Sequence, residues 1–142
     1  MKNKLLFLPF YLYFIFYFIG CTKDETLSPL EQNKLYLTGL GATPTKWLLT
    51  SLSSSGTLLP LTSAQKNYSK TYAKNGTYTD SDGFIGTWEL SGTDQLIERY
   101  VNFPSGSPAA QSFQIVSITA TNLIILHNYN GTPIWSVYKA GN

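Results

Sequence analysis

The chain has 142 residues, 15% of them aromatic and 13% charged, with ten basic residues, eight acidic residues and a single Cys. That length holds one domain with a real core rather than two. Lys2 and Lys4 lie in the first few residues, so the remainder carries equal numbers of basic and acidic side chains with no basic run, which argues against a nucleic-acid binder. One Cys excludes an internal disulfide.

Lys2 and Lys4 precede a fifteen-residue apolar run, Leu5 to Ile19, that contains Pro9 and ends at Gly20-Cys21. This is the layout of a secretory signal, and it falls short of the ~20 residues of a membrane span. Phe18-Ile19-Gly20-Cys21 resembles a bacterial lipobox, with Phe18 where Leu is commoner. The resemblance implies cleavage after residue 20, acylation of Cys21 and a protein held at a membrane face by its lipid. The Thr22-Lys23-Asp24-Glu25 segment that follows resembles the short acidic export signal of Bacteroidota surface lipoproteins, with a plain solvated tether as the alternative. The expected location is the cell envelope, on the outer membrane and with a surface-exposed form in view. Residues 1–20 are thus read as signal peptide, 21–44 as tether and short helix, and 45–142 as the folded domain.

Within the tether, Ser28-Pro29-Leu30-Glu31 fits an N-cap, a proline at the first helical position and a capping-box carboxylate. The spacing of Leu30, Leu37 and Leu40 predicts a short helix laid against one end of the domain, stopped by Gly39 and Gly41. The strands follow. Trp47 to Ser53 runs into a polar Ser-Ser-Ser-Gly loop, then a short apolar patch at Leu58 to Leu61. Tyr68 to Lys74, Thr77 to Ser81 and Ile85 to Leu90 form a meander reversed at Asn75-Gly76, read as a type I′ turn, and at Asp80 to Gly83. Phe84, Gly86, Trp88 and Leu90 share one face of their strand, and Ile85, Thr87 and Glu89 the other. Gln95 to Asn102 has ambiguous faces, because Glu98 shares one with Leu96 and Tyr100. Pro104 to Pro108 reads as loop, and Gln111 to Ile118, Asn122 to Asn128 and Ile134 to Lys139 complete the set. Eight short strands at near-hairpin spacing predict an all-β, antiparallel up-and-down barrel, with a two-sheet sandwich as the alternative.

Trp47-x-Leu49, Tyr72-x-x-Asn75-Gly76-x-Tyr78, Gly86-Thr87-Trp88-x-Leu90 and Phe113-x-Ile115 leading into Leu123-x-Ile125 together resemble the lipocalin-like domain of Bacteroidota lipoproteins over about residues 45 to 139. The resemblance implies a small calycin-type barrel behind a lipid anchor. Lipocalins proper carry their G-x-W on the first strand, whereas Gly86 and Trp88 lie mid-chain, so no ligand mode and no catalytic residue transfers.

The sequence offers little chemistry. His127 is the sole histidine and, with no second His or Cys beside it, reads as structural or exposed rather than as a metal ligand. Asp80-Ser81-Asp82-Gly83 copies part of a calcium loop without its later ligands and reads as a turn. Glu89 and Glu98 lie on neighbouring strands, either as a carboxylate pair or as a solvated face. Trp47, Trp88, Trp135, Tyr72 and Tyr78 are the aromatics expected to pack the core or line a ligand cavity, with Trp135 singled out for its place near a rim loop. The expectation is therefore a non-enzymatic lipoprotein without cofactor or metal, holding a small or hydrophobic ligand by shape and apolar contact. The alternatives are an interaction or structural lipoprotein that presents loops or aromatics to a protein or glycan, and, third, a hydrolase.

Overall fold

In the computed structural model, residues 26–102 and 109–141 are described. Residues 1–20, read above as a signal peptide, Cys21 and the expected Pro104 to Pro108 loop lie outside them. The chain runs α1 (Pro29–Thr38), β1 (Lys46–Ser54), β2 (Thr57–Leu59), α2 (Ser63–Lys66), β3 (Ser69–Tyr72), β4 (Thr77–Asp80), β5 (Ile85–Ser91), β6 (Gln95–Tyr100), β7 (Ala109–Ile118), β8 (Asn122–Tyr129) and β9 (Thr132–Gly141).

Every strand pair is antiparallel, each strand from β3 onward pairs with the next, and β9 returns to pair with β1. The ring β1-β3-β4-β5-β6-β7-β8-β9 is an eight-stranded up-and-down barrel. Closure satisfies the backbone groups that an open sheet would leave on its edges, and it excludes the two-sheet sandwich. The ninth strand, β2, lies outside the ring. It pairs with the last three residues of β1, while β3 pairs with the first three on the same side.

Alternation decides which side chains fill the barrel. Leu96, Glu98 and Tyr100 point inward from β6, Phe113 and Ile115 from β7, Leu123 and Ile125 from β8, and Ser136 and Tyr138 from β9. Two bulges keep that phase. Thr50 is the extra residue between Leu49↔Tyr138 and Ser51↔Val137, which lets Leu49 and Leu52 both face inward. Val116 is extra between Ile115 and Ser117, which returns Ile118 to the inside opposite Leu123.

The helix closes one end. Ser28 accepts a hydrogen bond from Glu31 N, Pro29 occupies the first turn, and Gly39 ends the helix at φ 97°. A Cβ at Gly39 would lie 2.5 Å from Thr45 Oγ1. Leu37 is fully buried, and its carbonyl accepts from Trp47 Nε1 at 2.8 Å, so the first strand is tied to the helix through the barrel floor. Asn33 Nδ2 reaches Thr93 O at 2.7 Å, joining α1 to the β5–β6 turn at that same end. Leu40 departs from the expected stripe: it lies beyond the helix stop and is exposed.

The turns also differ in detail from expectation. Between β3 and β4 only Gly76 has positive φ; Gly76 N donates to Ala73 O, and Asn75 Oδ1 accepts from Thr77 N. This is a three-residue connection ending in a left-handed glycine, not a type I′ pair. The two-residue turns with both central φ positive are Ser55-Gly56 and Asn130-Gly131. The stretch read as a flexible Ser-Ser-Ser-Gly loop is therefore a tight hairpin. Thr62 and Gln65 form a capping box around α2, a Thr-x-x-Gln start signal.

The G-x-W on β5 has a packing reason. Gly86 lies between Tyr78 on β4 and Tyr100 on β6, whose rings meet edge-on at 5.6 Å, and a Cβ there would come within 1.9 Å of Arg99 O. Two residues on, Trp88 points inward, its ring 5.9 Å from Tyr72 and its Nε1 donating to Ala73 O at 2.9 Å. Trp88→Ala should therefore cost about 3 to 5 kcal/mol in denaturant melts. A change below about 1 kcal/mol would mean that the ring does not support the core.

Candidate functional site

The barrel interior is layered along its axis. Nearest the helix it is filled by Leu37, Trp47, Tyr72, Trp88, Leu96 and Leu123. At the opposite end, where the β4–β5 and β8–β9 turns lie, it is hollow. A cavity of about 330 Å³ opens there, at the lower end of the size range for small-molecule pockets. Leu49, Leu52, Tyr68, Phe84, Tyr100, Phe113, His127 and Tyr138 form its walls.

Between the filled and hollow halves lies a layer of polar side chains. Lys70 on β3 and Glu98 on β6 are 4% and 0% exposed and form an ion pair, with Nζ 2.9 Å from Oε1 and 3.0 Å from Oε2. The carboxylate also accepts from Tyr72 Oη on one oxygen and from Tyr100 Oη, at 2.6 Å, on the other. The ammonium lies over the Phe113 ring, 4.3 Å from its centroid. Beside this cluster, Asp80 Oδ2 accepts from Tyr68 Oη (3.1 Å) and Tyr78 Oη (2.8 Å), and its Oδ1 accepts from the backbone of Asp82 and Phe84. Among the described residues no buried side-chain polar atom lacks a partner.

Local sequence explains the placement. Lys70 and Tyr72 alternate on one face of β3, and Leu96, Glu98 and Tyr100 on one face of β6, so a pattern that buries the aromatics must also bury the charges. Burial raises the pKa of Tyr68, Tyr72, Tyr78, Tyr100 and Tyr138 well above the usual phenol range. For all but Tyr68 the Glu98 charge is the next cause, and all five stay protonated hydrogen-bond donors at neutral pH. The His127 ring is tilted against that of Phe113, with centroids 5.1 Å apart, and its pKa is lowered, first by desolvation and then by the Lys70 charge, against an opposing pull from Glu98.

The residues expected from sequence fall in different places. Trp47, Tyr72, Tyr78 and Trp88 are all inside the barrel, but on or below the polar layer, and none lines the cavity. Trp135 stands on the outer face of β9, opposite Ser53 and Leu126, and is 37% exposed; it is neither a core nor a cavity aromatic. Glu89 and Glu98 do not form a carboxylate pair, because the register sets Glu89 against Ile97 and turns it outward, where it pairs with Arg99 at 2.7 Å. Asp80 to Gly83 is a turn, with Gly83 N donating to Asp80 O. Among the described residues no group of three or more His, Cys, Asp or Glu side chains is placed to hold a metal.

No protein-family model matches the chain, and no curated protein does. Among solved structures it is similar to a lipocalin-like protein from Bacteroides uniformis, with 22% identity over 73% of this chain and 97% of that one and a TM-score of 0.42. The barrel described above rests on this chain's own strand pairing.

Single substitutions in the polar layer test its role in stability. Glu98→Gln leaves the buried ammonium without its counter-charge and should cost about 3 to 5 kcal/mol. Lys70→Met should cost less, because two tyrosine hydroxyls still serve the carboxylate. Urea melts in which both variants match the wild type would show that the layer does not hold the barrel together.

Proposed function

We propose that this chain is a non-enzymatic, lipid-anchored envelope protein that takes a small ligand into the hollow half of its barrel. The observation that carries the reading is the division of the interior: a plugged, filled end against the helix and an open cavity of about 330 Å³ at the other. A barrel kept only as a scaffold has no use for a void whose lining forfeits packing. The polar groups under the cavity satisfy one another, which suits a wall that recognises a ligand better than a set of groups that converges on a reacting bond.

The lipobox-like Phe18-Ile19-Gly20-Cys21 supports the anchored part of the reading, with the outer membrane as the proposed location and the cell surface as its exposed form. The described chain begins just before α1, which packs on the filled end of the barrel, opposite the cavity mouth. Mass spectrometry of membrane-extracted protein is expected to find acyl chains on Cys21, and Cys21→Ala to release the protein from membranes. Unmodified Cys21 in membrane-bound material would overturn the anchor.

Ligand binding is tested separately, by titrating a panel of small apolar and amphiphilic compounds into the protein and its Leu52→Trp variant. Leu52 is a half-buried wall residue, and the larger ring should fill the space. Saturable binding by the wild type, weakened at least about tenfold in the variant, is the expected result. If no compound binds, but immobilised glycans or a cell-surface protein do, the loop-presenting alternative takes its place.

A further inference from the structure

The chemistry of the cavity walls narrows the ligand class, and the argument rests on the ligand-binding reading above. We propose that the cavity selects an organic cation, an ammonium group on a compact apolar body, over a carboxylate of the same size.

Among the described residues that line the cavity, Lys70 is the only cationic side chain, and it is already committed. Two of its three N–H groups point to the two oxygens of Glu98, and the Phe113 ring covers it. A ligand carboxylate reaching for Lys70 would have to displace Glu98, which also holds the hydroxyls of Tyr72 and Tyr100. Such an exchange leaves buried charge unpaired.

The acidic side chains are in the opposite condition. Asp80 lines the cavity and Asp82 stands at its mouth, and neither is in an ion pair among the described residues. The hydrogen-bond partners of Asp80 are two phenol hydroxyls and two backbone amides, all neutral donors, and its cross-strand neighbour Lys70 directs its ammonium to Glu98 instead. Tyr68 and Phe84 line the cavity next to these carboxylates, Tyr68 through its hydroxyl on Asp80, and an aromatic environment of this kind suits a cation. The walls are thus polarised. Across the lumen the pKa of His127 is lowered, first by desolvation and then by the Lys70 charge, so that side offers no ready counter-charge for an anion. The ammonium belongs on the Asp80, Asp82 and Phe84 side, with the body against Leu49, Leu52 and Phe113.

The test uses three soluble probes with one skeleton: 3-phenylpropylamine, 3-phenylpropionate and 3-phenylpropan-1-ol. Each is titrated into the full chain held in lipid nanodiscs, binding is read from the aromatic NMR signals of Phe84, Phe113 and His127, and empty nanodiscs correct for partition. The amine is expected to bind at least about tenfold more tightly than the carboxylate, with the alcohol between them. Asp82→Asn, an exposed substitution that leaves the hydrogen bonds of the layer in place, should shrink that preference severalfold, and Asp80→Asn should shrink it further. Carboxylate binding as tight as amine binding would overturn the cation assignment while leaving the cavity a ligand site. A preference unchanged in both variants would overturn the role of the Asp80 wall. Saturation by none of the three, together with failure of the wider panel, would overturn the ligand reading as well.

Discussion

The buried pair of Lys70 and Glu98 is the constraint on which the rest of the interior depends. Two opposite charges have been taken out of water, and such a pair is tolerable only where the geometry is good and the remaining oxygens find donors. Here four strands supply what is needed. β3 gives the ammonium and Tyr72, β6 the carboxylate and Tyr100, β7 the Phe113 ring and β4 the neighbouring Tyr78. A slip of one residue in either β3 or β6 would turn its charge outward and abandon the other inside, so the layer penalises wrong register in a way that a purely apolar core would not.

The same layer divides the barrel into two halves with different tasks. Below it, large rings and aliphatic side chains pack against the helix and bury apolar surface. Above it, the walls stay apart. The tyrosines serve both halves: their rings pack downward and sideways against one another, while their hydroxyls hold Glu98 and Asp80 in fixed positions. A fixed carboxylate in a partly desolvated lumen acts on a ligand more strongly than the same group on a mobile surface chain.

Much of this architecture is legible in the chain because the signals are local. The helix start follows from Ser28-Pro29, the eight ring strands from alternation and turn residues, and the inward face of Trp88 from the face it shares with Gly86 and Leu90. The charged layer was harder to read, since Lys and Glu are solvent residues by default and only long-range pairing puts β3 and β6 on facing walls 28 residues apart. Glu98 between Leu96 and Tyr100 was the available clue, a charge on the apolar side of an alternating strand. The aromatics failed as guides to the cavity for a related reason. Composition shows that rings will be buried, but whether a ring lies below or above the polar layer depends on its height along the barrel, which requires the register. Trp135 fell outside because β9 keeps Ser136 and Tyr138 on its inner face.

The way β1 divides its edge has a bearing on access to the lumen. Its lower part is laddered to β3, but its upper part is laddered to β2, whose far side has no strand neighbour among the described residues. Above Tyr68 the wall between β1 and β4 is therefore made by the β2–α2 segment, which carries Gln65 to the cavity rim. It is held by its hairpin, its capping box and side-chain packing rather than by a continuous sheet. Displacing that segment would break the β1–β2 hairpin but no pairing of the eight-stranded ring. The ring and the ion-pair layer beneath it thus close on themselves without the β2–α2 segment, which stands as a separate panel at the barrel's mouth.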